Sequence, residues 1–92
     1  EDNKGVVVCG SGVGADIAAN KIPGARCVLA FSLDQAVSSR RDNDANVISI
    51  PADYLSVEEI KRMVAAWVGT PFSGEERHKR RLQKIRSLEA KH

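Results

Sequence analysis

The stretch Gly5-Val6-Val7-Val8-Cys9-Gly10-Ser11-Gly12-Val13-Gly14 decides the fold. Three β-branched residues in a row, bounded by glycine, read as a short strand buried on both faces, the setting of a parallel sheet. The glycines that follow make a tight loop, and a short helix is expected from Ala15 to about Asn20, stopped by Pro23-Gly24. This order places backbone amides and a helix N-terminus beyond the carboxyl end of a strand, where open α/β sheets bind ligands. Such groups favour negative charge, whether a phosphate or an oxyanion formed during reaction.

The alternation continues downstream. Arg26 to Phe31 reads as a second buried strand, and Ser32 can cap a helix running to about Asp42. Asn46 to Ile50 is a third strand, ended by Pro51. Ser56-Val57-Glu58-Glu59 is a capping box, followed by an apolar stripe of Ile60, Met63, Val64 and Trp67; Gly69 and Pro71 end that helix. Ser73-Gly74-Glu75-Glu76 reads as a second capping box, opening a basic helix over 75–92 with Leu82, Ile85 and Leu88 on one face. The order β-α-β-α-β-α-α predicts an α/β domain with a parallel sheet, covered on both faces and joined by right-handed crossovers. No repeat or linker divides the 92 residues, so they form one domain or part of one. Three strands are few for a doubly wound sheet, and Glu1-Asp2-Asn3-Lys4 passes at once into a strand. On that reading, further strands are expected upstream.

Composition narrows the function. Cys9 and Cys27 have neither CxxC spacing nor a histidine cluster, which argues against a zinc site and a disulfide framework and for a reducing compartment. With no signal-peptide pattern and no apolar run of membrane-spanning length, the expected address is the cytoplasm, without membrane partners. From Glu75 onward seven Lys/Arg stand against three Glu, a tail of +4 on a body of −2. That asymmetry allows an anion site, a nucleic-acid patch or a solvated helix. Sparse aromatics and the lack of a DNA-binding motif speak against nucleic acid.

Several residues could carry chemistry. Cys9 is the last residue of the first strand; a free cysteine there is most often a buried small hydrophobe. Against that, a thiol beside a helix N-terminus and a nest of amides can ionise more readily and act as a general base. Cys27, in mid-strand, is expected in the core. Gly10-x-Gly12-x-x-Ala15 also fits the dinucleotide pattern, with Asp34 near the distance of a ribose-binding acid. Pro23 stops the helix too soon for that fold, and Asp34 falls inside the next helix. Arg77 and Arg81, at i and i+4, suit a phosphate or a solvated basic face, and His78 by itself is given no role. Asp42-Asn43-Asp44-Ala45-Asn46 is either plain turn chemistry or a set of polar groups reaching into a site.

Taken together, these segments resemble a known family. The block from Val6 to Gly14 with Ile17-Ala18-Ala19-Asn20-Lys21-Ile22-Pro23-Gly24-Ala25-Arg26, then Asn43-Asp44-Ala45-Asn46-Val47, then Arg77-His78-x-x-Arg81, is similar to type B ribose-5-phosphate isomerases. Galactose-6-phosphate isomerase subunits share the superfamily. The resemblance covers nearly the whole chain, with the blocks in the family's order. It implies a Rossmann-like αβα sandwich, a homodimer or tetramer with sites between subunits, and a reaction needing no metal or organic cofactor. It further implies Cys9 as the base moving a proton between C1 and C2 of a sugar phosphate. Ser11 would assist at the oxygens, the amides of Gly10, Gly12, Val13 and Gly14 would stabilise an enediolate, Asn43 would contact the sugar, and Arg77 and Arg81 would hold the phosphate. A branch using glutamate just after the glycine loop fits less well, since Ala15 stands there.

Three departures modify the expectation. Asp42 stands where the family usually has a ring-opening histidine, so either Asp42 shuttles that proton or the substrate, such as a tetrose phosphate, forms no ring. Pro51-Ala52-Asp53 replaces a segment that often carries Arg or Lys, removing an anion contact. The family's first strand, with its Asp-His pair, is not in the sequence, so the chain by itself is expected to be poorly active. A non-catalytic sugar-phosphate-binding relative is the alternative.

Overall fold

A β-branched run is extended because its side chains crowd a helix but fit a pleated surface, and Gly5–Cys9 accordingly forms β1 in the computed structural model, which describes residues 3–90. The remaining elements are α1 (Val13–Asn20), β2 (Cys27–Leu29), α2 (Leu33–Asn43), β3 (Val47–Pro51), α3 (Val57–Gly69) and α4 (Glu76–Ala90). All strand pairs are parallel, in the order β1-β3-β2. The element order is the one read from the sequence, and the chain is a small α/β fold of the Rossmann-like kind.

Central β3 carries the core. Ile48 and Ile50 point to one face and meet Val28 and Ala30, with Ala36 of α2 and Met63 and Trp67 of α3 closing over them. Ser56 starts α3 with the expected capping box: its Oγ accepts from Glu59 N at 3.1 Å, and Glu59 Oε1 accepts from Ser56 N at 2.8 Å. Trp67 is fully buried and its indole N–H has no acceptor among the described residues, a cost its packing must offset. On the other face α1 lies across the three strands.

The expectation that β1 is buried on both faces is corrected. Val6 and Val8 share the face of their partners Ile48 and Ile50, yet they are 45% and 58% exposed. The α2–α3 pair covers β2 and β3 and stops short of β1, one of the two edge strands. The second capping box also fails to form. Ser73 Oγ instead meets His78 Nδ1 at 2.8 Å and accepts from Glu75 N, and α4 begins only at Glu76. Of the apolar stripe on α4, Leu82 is buried while Ile85 and Leu88 are exposed. Cys27 is the first residue of β2 and only partly buried, rather than in mid-strand and in the core.

Candidate active site

The loop after β1 is held from three sides. Gly12 takes φ 79°, a left-handed conformation suited to glycine, and caps α1. Its carbonyl accepts from the buried Ser49 Oγ at 2.7 Å and from Asp16 N at 3.0 Å, tying the loop to the central strand. A side chain at Gly12 would collide with Leu29 Cδ1 and lie 3.2 Å from Pro51 N. On the far side, Ala52 N donates to Cys9 O and Asp53 N to Gly10 O, each at 2.9 Å.

Within this frame Gly12 N donates to Cys9 Sγ at 3.2 Å, and Val13 N to Ser11 Oγ at 3.3 Å. These two amides therefore grip the thiol and the hydroxyl. The first-turn N–H groups of Gly14 and Ala15 have no acceptor among the described residues, and the space where a Gly14 side chain would stand is open. The result is a half-buried thiol, a hydroxyl free to donate, and first-turn amides without acceptors among the described residues. This arrangement can deprotonate carbon and stabilise an adjacent oxyanion.

The remaining sequence-predicted residues lie elsewhere. α2 starts beyond the carboxyl end of β2 and runs its eleven residues back, about 16 Å, to the opposite end of the sheet. There Arg81 Nε donates to Asn43 Oδ1 at 3.1 Å and its terminal nitrogen to Asp42 O at 2.7 Å. Arg77 is engaged with Glu75 at 3.0 Å. Asp42 meets Arg41 at 3.0 Å, and that guanidinium, with smaller help from His78 and Arg77, holds its carboxyl below the usual carboxylate range. The structure thus brings Asp42, Asn43 and Arg81 together, with Arg77 nearby on the same helix, and does not bring them to Cys9.

Two groups had no assigned place in the site from sequence alone. His78 is buried, with one ring nitrogen on Ser73 and the other 4.0 Å from Asp42 Oδ1. Asp53 reaches the glycine loop through the β3–α3 turn. Both contacts join distant or turn-separated residues, and no spacing signals them. Among the described residues no cluster of three or more His, Cys, Asp or Glu could hold a metal ion, and no helix is long and apolar enough to cross a membrane.

The model of the Ribose/Galactose Isomerase family matches residues 1–85. A ribose-5-phosphate isomerase B of Mycolicibacterium paratuberculosis is 44% identical over 91 residues, covering 99% of this chain and 57% of the relative. A corresponding enzyme of Mycobacterium tuberculosis is 44% identical over 88 residues, with 96% and 54% covered. The type B ribose 5-phosphate isomerase structure of Trypanosoma cruzi superposes with a TM-score of 0.96 at 48% identity, covering 98% of this chain and 59% of that one. The chain spans somewhat more than half the length of the relatives it matches.

Proposed function

The chain belongs to the ribose/galactose isomerase family, and on that premise we propose that it serves an aldose–ketose isomerisation of a sugar phosphate. The pair is ribose 5-phosphate and ribulose 5-phosphate, or the equivalent pentose, hexose or tetrose phosphates. The observation that supports this most directly is the Cys9 sulfur, gripped by Gly12 N–H at 3.2 Å beside amides with no other acceptor.

Chemistry follows from that placement. Cys9, as thiolate, removes the hydrogen on C2 of the open-chain aldose. The electron pair left behind forms the C1–C2 double bond and puts negative charge on O1. The N–H groups of Gly14 and Ala15 stabilise the enediolate, an effect strongest where donors are fixed in advance. The Ser11 hydroxyl, its oxygen held by Val13 N–H, relays the proton from O2 to O1. Cys9 then returns its proton to C1, giving the ketose without metal or organic cofactor. Gly10 gives the close backbone approach at the start of the loop.

Arg77 and Arg81 suit the phosphate and Asn43 a sugar hydroxyl. Asp42, its carboxyl held below the usual range by Arg41, is a poor proton donor, and it faces His78 Nε2 at 4.0 Å as a charge neighbour. Because these groups lie at the far end of the sheet from Cys9, the complete site draws on two subunits. The assembly is a homodimer, or a tetramer built from such pairs.

Proton NMR in D₂O on the full-length protein, with a panel of sugar phosphates, tests the reading. We expect deuterium at C1 or C2 with the wild type, and a rate lower by about 10²–10⁴ in Cys9→Ala, the usual worth of a positioned base. A folded protein that exchanges no hydrogen with any sugar phosphate, yet binds them, would make it a binding relative instead.

A further inference from the structure

The carboxylate of Asp53 lies where the side chain of Gly10 would be. An ideal Cβ on Gly10 would stand 2.6 Å from Asp53 Oδ2 and 3.2 Å from its Cγ. The backbone that carries it is held: Asp53 N donates to Gly10 O, Ala52 N to Cys9 O, and Tyr54 N closes the turn onto Pro51 O at 3.0 Å. Among the described residues no Lys, Arg or His pairs with this carboxylate and no donor bonds to it, although Asp42 and Asp44 both have such partners. It is exposed, directly beside the loop that carries Cys9.

An unpaired anion at this place has a definite consequence. An ionised carboxylate is acceptor-only, with room for several hydrogen bonds. It therefore suits the hydroxyl groups of a sugar and repels a phosphate dianion. Next to it stands the aromatic pair Phe31–Tyr54, edge to face at 5.6 Å and exposed at the ends of β2 and β3. Such rings suit the C–H face of a sugar, while their negative faces disfavour an anion such as a phosphate. Arg77 and Arg81 lie at the other end of the sheet, while Arg62 of α3 shares a pocket with Phe31, Leu55 and Glu59. The rim around Cys9 is thus built for neutral, hydroxyl-bearing carbons.

We propose that Asp53 is a specificity-determining residue of the Cys9 site: it accepts a hydrogen bond from the substrate hydroxyl next to the reacting carbons, on C3, and turns the phosphate away from the glycine loop. The assignment rests on the isomerase reading and goes beyond it by fixing which end of the substrate each half of the site accepts.

Two measurements on Asp53→Asn and Asp53→Ala test it. In steady-state kinetics with ribose 5-phosphate, or whichever substrate the exchange assay ranks first, Asp53→Ala should raise KM about tenfold and change kcat little, the pattern of lost uniform binding. Its preference for the substrate over the 3-deoxy analogue should fall by the same factor. In a titration with inorganic phosphate, read from the amide shifts of residues 10–15, Asp53→Asn should bind phosphate at least about fivefold more tightly than wild type. Unchanged KM and 3-deoxy discrimination with unchanged phosphate affinity, in folded variants, overturns the proposal while leaving Cys9-dependent exchange standing. Absence of exchange in the wild type would instead remove the isomerase reading, and the phosphate titration would still show whether Asp53 repels anions from the loop.

Discussion

Cys9 and Cys27 place the same side chain in two surroundings. Cys27 sits at the start of β2, where partial burial pushes its thiol up to about 12 from 9.0, and the neighbouring Asp16 carboxylate adds to the shift by hydrogen bond and charge. Because the folded value is raised, the stabilising contribution is complete below pH 9.0 and is lost as pH rises towards 12. At pH 8 Cys27 therefore stays in the thiol form, and it is the thiolate that reacts. Iodoacetamide applied to the folded Cys9→Ala variant at that pH should leave Cys27 unmodified, and denaturant should expose it to full alkylation, both read by mass. Rapid labelling of Cys27 in the folded variant would show that its environment is not the one described. The sequence placed Cys27 in mid-strand and in the core. It is the first of three ladder positions in β2, because the N–H of Arg26 goes to the Asn46 side chain at 2.7 Å instead of to a strand carbonyl.

The glycine loop was legible because its determinants are local, and its two flanking glycines separate conformation from space. At Gly12 both are constrained: φ is 79°, and an added methyl group would press on Leu29 and the backbone of Pro51 in the central strand. Gly12→Ala should cost about 2–4 kcal/mol in urea unfolding, from the left-handed conformation and overpacking combined. Gly14 lies in α1 with open space around it, so Gly14→Ala should be neutral or stabilising by up to about 1 kcal/mol. Equal losses at both positions would mean that the loop is less fixed than its bonds to Ser49 and Asp53 imply. The same distinction explains what could be read in advance. The α3 capping box came through intact because Ser56 and Glu59 need only each other. Ser73 did not repeat it, since its hydroxyl bonds His78 and Glu75, a choice set by how α4 packs. The valines of β1 carry the same pattern whether a helix covers them or not, so their exposed face was not visible in the run itself. Asp53 over Gly10 and His78 beside Asp42 depend on how elements meet, and no local spacing announces them.

The separation of Cys9 from Arg81 is a property of the parallel topology. Every strand delivers its C-terminal residue to one end of the sheet, so Cys9 and Asp53 stand together there. Every crossover helix returns to the other end, so Asp42 and Asn43 finish there, and α4 packs beside α2 with Arg81 on Asn43 and Glu89 Oε2 accepting from Gly24 N at 3.0 Å. A five-carbon sugar phosphate is much shorter than the eleven-residue α2 that separates these ends. One chain therefore cannot present both its thiol and its own Arg81 to one substrate molecule. The proposed two-fold pair would, by setting the Cys9 end of each copy against the Arg81 end of the other to make two equal sites. Cys9→Ala and Arg81→Ala should then each lose activity alone, yet recover some when unfolded and refolded together in equal amounts. Random pairing makes about half the dimers mixed, and each mixed dimer holds one site with both mutations and one with neither. Recovery of about a quarter of the wild-type exchange rate is the expected result. If the refolded mixture runs as a dimer in sedimentation but shows only the sum of the two parents' residual rates, thiol and guanidinium do not share a substrate across the interface.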